Sequence, residues 1–123
     1  MRIVKISFYI SNLFLFIFYL YPGSIFGCFL YNDCNIQPQL TRDFIISSNH
    51  LYIFFIFSLL GILSFKKNLK KISYYLLSVS IVLELLHIVI PNRGFEVADL
   101  LGNALGVILS LILYKLFNFR RSK

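Results

Sequence analysis

The stretch PNRGFEVADLLGNALG, residues 91–106, decides how this chain is read. It drives Arg93, Glu96, Asp99 and Asn103 into a sequence that is 59% hydrophobic. Its second half opens an apolar run that continues to Phe117. A charge inside a bilayer costs about 2.5–3.5 kcal/mol on insertion scales, so such residues usually face a partner or a cavity. Glu84 and His87 lie just upstream and His50 further back, and these are partners of the right kind.

Working outward, the chain holds apolar runs each near the roughly 20 residues needed to cross a bilayer. We place four spans at residues 3–21, 44–65, 72–90 and 97–117. Ser47, Ser48, Asn49 and His50 blur the start of the second. Charged residues make up 14% of the chain, against roughly 25% in a soluble domain, and the mean hydropathy is +0.80. With 123 residues there is room for one domain, covering 1–123. The expected fold class is an all-α membrane protein, a four-transmembrane-helix bundle.

The formal charge of +7 would suit a nucleic-acid binder, but its placement argues otherwise. Arg2 and Lys5 precede the first span, and Lys66, Lys67, Lys70 and Lys71 fill the second loop. Lys115, Arg120, Arg121 and Lys123 end the chain, and only Arg42 and Arg93 fall on the other side. These are topology signals at span ends, and the positive-inside rule puts both termini in the cytoplasm. No nucleic-acid partner is expected. The acidic residues Asp33, Asp43, Glu84, Glu96 and Asp99 lie at or toward the outer side, as do both histidines. The polar equipment opens outward.

The first segment begins like a signal peptide, and residues 25–28 (IFGC) faintly resemble a lipoprotein cleavage site. Phe26 is bulky where such sites want a small residue, so a retained span is expected. Its interior polar groups are Ser7, Ser11 and Asn12, and it reads as scaffold. Cys28 and Cys34 share the first outer loop, where an oxidising compartment permits a disulfide; two unlinked thiols are the alternative.

Helical projection at 100° per residue sorts the polar residues into stripes. In the fourth span Asp99, Gly102, Asn103, Gly106 and Ser110 share a sector of roughly 100°. Gly102 and Gly106 make a small-xxx-small seam, suited to a neighbouring helix or an oligomer contact. Packing alone would not select Asp99 or Asn103. In the third span Ser73, Ser80, Glu84 and His87 share one face, with Glu84 and His87 three apart. Glu84 lies roughly 10 Å below the outer end, deep enough that an unpaired carboxylate would take up a proton or a partner. In the second span the stripe is Ser47, His50, Phe54, Phe57, Gly61 and Ser64. We expect His50, Glu84 and Asn103 in one layer, His87 and Asp99 a turn above, and Arg93 and Glu96 at the mouth. Bland alternatives stand beside these: an interfacial His50, a solvated Arg93 in a loop, a structural ion-pair network around Glu84.

The segment ELLHIVIPNRGFEVADLLGNALG, residues 84–106, resembles the VanZ-like family of small bacterial membrane proteins. That family carries a Glu and a Gln three apart, then an Arg, an acidic residue, an Asp, an Asn four later and a Gly three after that. Glu84, His87, Arg93, Glu96, Asp99, Asn103 and Gly106 take those positions, with His87 replacing the Gln. An earlier family element, Asp-Lys, two residues, His and an aromatic four later, is met by His50 and Phe54. Ile46 and Ser47 stand where the Asp and Lys belong, and Ser110 replaces a second Gly. The resemblance spans roughly residues 44–116. It implies a bacterial cytoplasmic-membrane location and a link to the cell envelope and teicoplanin-type glycopeptide resistance, without implying a reaction.

Three functions fit these residues. One is binding of an envelope component or partner, with Arg93, Glu96, Asn103 and His87 as the grip. A second is an enzyme acting on a lipid-linked or glycan envelope precursor. There Glu84, His50 or Asp99 would carry acid–base work, and Arg93 would hold a phosphate. The third is a minimal transporter subunit, which lacks a polar path along the inner half. No cofactor motif is present; a divalent metal on His50, Glu84, His87 and Asp99 is the one candidate of that kind.

Overall fold

The computed structural model describes residues 1–122; Lys123, the last of the basic terminal cluster, lies outside them. Among the described residues five helices run in order: α1 (Arg2–Leu20), a short α2 (Ile25–Tyr31), α3 (Ser48–Ser64), α4 (Leu69–Leu86) and α5 (Val97–Arg121). A 3-10 turn, Lys66–Asn68, joins α3 to α4. The described residues hold no strand.

Two helices, α1 and α5, are long and apolar enough to cross a membrane. The 17 residues of α3 and the unit that follows it meet at a bend of 98°, and as one broken span they bring the total to three. The helices differ from the expected spans for local reasons. The second begins at Ser48, because the Asp43 carboxylate accepts the Ser48 N–H at 2.8 Å and its hydroxyl at 2.9 Å. That answers one of the donors a helix start leaves open. The third starts at Leu69 and stops at Leu86, short of residue 90. Pro91 disfavours helix in the residue before it, and His87, Ile88 and Val89 tighten into bonds to the third residue back. The last helix continues to Arg121.

The loop after α1 carries α2, which the apolar pattern did not single out. Ser24 caps it, accepting the Gly27 N–H at 3.0 Å, and Asn32 ends it in the left-handed conformation. Cys28 and Cys34 are joined by a disulfide across the end of this helix.

The core gathers Phe8, Phe54, Phe57, Ile62, Leu76, Leu83 and Val107. Outward faces are also apolar: Ile3, Ile10 and Leu13 of α1 and Ile112 and Leu116 of α5 are exposed. Such a surface suits lipid and is a liability in water. The tightest packing is between α3 and α5. A Cβ at Gly102 would lie 2.6 Å from the Ser47 carbonyl, and one at Gly106 would lie 2.7 Å from the Leu51 carbonyl. The small-residue seam, expected to serve a neighbouring helix or a second chain, is thus filled by α3 of the same chain.

Candidate functional site

Four helix ends meet at the end of the molecule away from Lys66 and Lys67. The end of α1 brings Tyr19, the start of α3 brings His50, the end of α4 brings Glu84, and the start of α5 brings Asp99 and Asn103. The polar stripes read from periodicity do converge.

Asn103 is fully buried and organises the group. Its Nδ2 donates to the Ser80 carbonyl at 3.1 Å. A carbonyl only accepts, so the amide orientation is set and Oδ1 faces the other way. Oδ1 accepts the Tyr19 hydroxyl at 2.8 Å and faces His50 Nδ1 at 2.9 Å. That oxygen is an acceptor too, so Nδ1 carries the proton. Tyr19 Oη and His50 Nδ1 are 3.0 Å apart, closing a triangle. His50 Nε2 points the other way, 3.5 Å from Asp99 Oδ2.

His87 belongs to a second branch. Its Nε2 lies 2.9 Å from the Tyr19 carbonyl, to which it can only donate, and its ring stacks on Tyr19 with centroids 5.6 Å apart. Its Nδ1 is 3.3 Å from Glu84 Oε2. Glu84 is fully buried, and its Oε1 accepts the Glu96 backbone N–H at 3.1 Å, next to the start of α5. That placement suits the positive end of the helix. Among the described residues Oε2 has no hydrogen-bond partner: the His87 contact has ion-pair distance without hydrogen-bond geometry.

Arg93 is half-buried rather than loose in solvent. Asn92 before it takes a left-handed φ of 59°, which Asn tolerates better than most residues. The guanidinium then reaches α1, with Nη2 2.9 Å from the Phe18 carbonyl and Nε 3.3 Å from the Tyr21 carbonyl. Arg93 and His87 together answer carbonyls that the end of α1 leaves open. Burial lowers the Arg93 pKa from its ordinary value, opposed by Tyr19, Asp99 and Glu84, and a guanidinium remains charged under such a shift.

One expectation is corrected. His87, expected among the candidate metal donors, stands outside the group: its Nε2 is committed to the Tyr19 carbonyl and its Nδ1 only approaches Glu84 Oε2. The donors that gather are His50, Glu84 and Asp99, with one ligand atom from each within 4.8 Å of the others. Glu96, expected at the mouth in the binding set, has an exposed side chain, and its backbone N–H contacts Glu84. One residue was missed. Tyr19 closes the span read as scaffold, yet it touches His50, His87 and Asn103. A tyrosine at the end of an apolar run is also what an interfacial anchor looks like, so its sequence carried no distinguishing signal.

A cavity of about 580 Å³ opens beside this network, between α1, α2, α3 and the loop before α3. Asn49 fastens that loop, donating to the Pro38 carbonyl at 2.7 Å and accepting the Leu40 N–H at 3.1 Å. The walls are mainly apolar, including Leu15, Phe18, Ile53, Ile56 and Leu60. Tyr19, His50 and Arg93 also line it, and Arg93 is the one charged residue among them. Its volume falls within the roughly 300–1,000 Å³ of small-ligand pockets. The chain matches no family model, no curated protein and no solved structure.

Proposed function

We propose that this is a VanZ-like protein of the bacterial cytoplasmic membrane that holds an anionic, lipid-linked envelope component at its outer end. The observation that carries the reading is the cavity. Along α1 its lining runs from Tyr19 back to Ser11, and along α3 from His50 to Leu60. At 1.5 Å per residue these are about 12 and 15 Å, roughly half of the ~30 Å hydrocarbon thickness. An apolar trough one leaflet deep suits a lipid tail. Arg93 lies where a head group would sit, and among the described residues it makes no ion pair with a carboxylate.

The proposal includes four crossings with both termini cytoplasmic. Helices α3 and α4 are each about 26 Å long, near the hydrocarbon thickness. Treating them as one span would put the basic N-terminus and the basic C-terminus on opposite faces, against the positive-inside rule. The outer end then carries the cavity. A link to teicoplanin-type resistance follows the resemblance and a lipid-linked ligand.

The test uses purified protein in detergent, offered an isoprenyl phosphate or the matching unphosphorylated alcohol, with retention read by native mass spectrometry. The phosphate should be retained preferentially. Arg93→Gln and Ser11→Phe, which remove the charge and fill the far end, should each lower retention about tenfold or more while thermal unfolding shows a folded protein. Equal retention of phosphate and alcohol would sink the reading. A cysteine at Lys67 should resist labelling from outside intact cells; labelling there would overturn the orientation.

A further inference from the structure

We infer that His50, Asp99 and Glu84 form a binding site for one divalent first-row metal ion. The chain of contacts begins at Ser80. Its carbonyl sets the Asn103 amide, the Asn103 oxygen sets the proton on His50 Nδ1, and the lone pair of a neutral imidazole is left on Nε2. That lone pair faces Asp99 Oδ2 at 3.5 Å. Two lone pairs brought this close need a positive centre between them.

A proton on Nε2 would answer Asp99 and leave the second demand unmet. Among the described residues Glu84 Oε2, a carboxylate oxygen in a fully buried side chain, has no hydrogen-bond partner; His87 Nδ1 stands 3.3 Å away, out of hydrogen-bond geometry. Leaving such a group open costs more than leaving a neutral one. A divalent ion answers all three residues at once. The second shell is also in place: metal-bound histidines commonly hand their other ring N–H to an oxygen, and Asn103 supplies it. Glu84 is held through Oε1 by the Glu96 N–H.

The dimensions fit with modest closure. Ligands on a zinc-like ion sit about 2.0–2.2 Å from it, so two of them are at most ~4.4 Å apart and roughly 3.4 Å apart in a tetrahedron. The His50–Asp99 separation of 3.5 Å already matches. The widest pair, within 4.8 Å, must close by a few tenths of an ångström or more. One imidazole with two carboxylates suits zinc, manganese or cobalt better than calcium. Access exists, since the His50 and Asp99 side chains are 11% and 20% exposed. The inference rests on these atoms and does not depend on which amphiphile the cavity takes.

The experiment uses untagged full-length protein in detergent, stripped with chelator and titrated separately with Zn²⁺ and Co²⁺. Calorimetry gives the stoichiometry, and the visible absorption of Co²⁺ reports nitrogen–oxygen coordination. One equivalent per chain is expected. His50→Gln, Asp99→Asn and Glu84→Gln should abolish it. Asn103→Leu should weaken it about 10–100-fold, the usual effect of losing a group that orients a ligand. Asp33→Asn, a loop carboxylate outside the group, should bind as wild type. Sub-stoichiometric uptake by the wild type would overturn the assignment, as would uptake unchanged in His50→Gln and Asp99→Asn. Circular dichroism on every variant separates a lost site from a lost fold, and loss of binding in a folded His50→Gln or Asp99→Asn variant supports the site.

Discussion

Replacing Asn103 by leucine tests the centre of the network without opening a large cavity. The amide makes three buried contacts: Tyr19 Oη, His50 Nδ1 and the Ser80 carbonyl. At a net 0.5–1.5 kcal/mol each, their loss amounts to about 1.5–4.5 kcal/mol. Part of this is recoverable. Tyr19 and His50 are 3.0 Å apart, so without Asn103 the tyrosine can donate to Nδ1. The imidazole then changes tautomer and presents Nε2–H to Asp99. That rescue is worth about one hydrogen bond, which brings the expected destabilisation to about 1–3 kcal/mol. The assay is reversible unfolding in mixed detergent, combined with His50→Gln in a double-mutant cycle and with ¹⁵N NMR of the His50 ring. The cycle should show a coupling of 0.5 kcal/mol or more, as expected for residues in one network. The NMR should show the proton moving from Nδ1 to Nε2. A loss below about 0.5 kcal/mol with an unchanged tautomer would refute the claim that Asn103 orients His50.

Two further outcomes follow from the same geometry. Gly106→Ala places a Cβ 2.7 Å from the Leu51 carbonyl and 2.8 Å from the Phe55 nitrogen, backbone atoms that no rotamer change relieves; we expect about 1–3 kcal/mol lost in thermal unfolding. A loss no larger than at the open Gly94 would mean the seam is looser than described. The Asp43 carboxylate is held below its ordinary pKa, first by the Ser48 backbone N–H. Its contribution is therefore fully present above its unfolded pKa near 4 and is lost as pH falls through the lower folded value. The group is partly exposed, so the effect is under about 0.5 kcal/mol. The stability gap between wild type and Asp43→Asn should shrink between pH 6 and pH 3, and a gap constant across that range would remove Asp43 from the cap.

Several features were legible because they depend on local pattern. The stripe of Asp99, Gly102, Asn103 and Gly106 needs only the helical period, and its burial against α3 follows once two such stripes meet. The depth expected for Glu84 assumed helix up to Pro91; α4 ends two residues after it, and its carboxylate meets the Glu96 N–H at the start of α5. Helix ends were less legible. The start at Ser48 depends on Asp43 reaching forward to cap it, and the end at Leu86 on a turn that tightens before Pro91. Spacing put Glu96 at the mouth but says nothing of whether backbone or side chain makes a contact, and it is the backbone N–H that reaches Glu84.

The chain by itself determined that this is a helical protein with apolar helices long enough for a membrane, and that its buried polar groups share helix faces. Period and hydropathy are properties of neighbouring residues, so no folded structure is needed to read them. The tertiary structure decided which groups touch. Tyr19 joined the site through contacts 31 and 84 residues away, His87 turned to Tyr19 and Glu84, and Arg93 became a cap for α1. Such partnerships arise from how helix ends pack together, and nothing within a single helix specifies them.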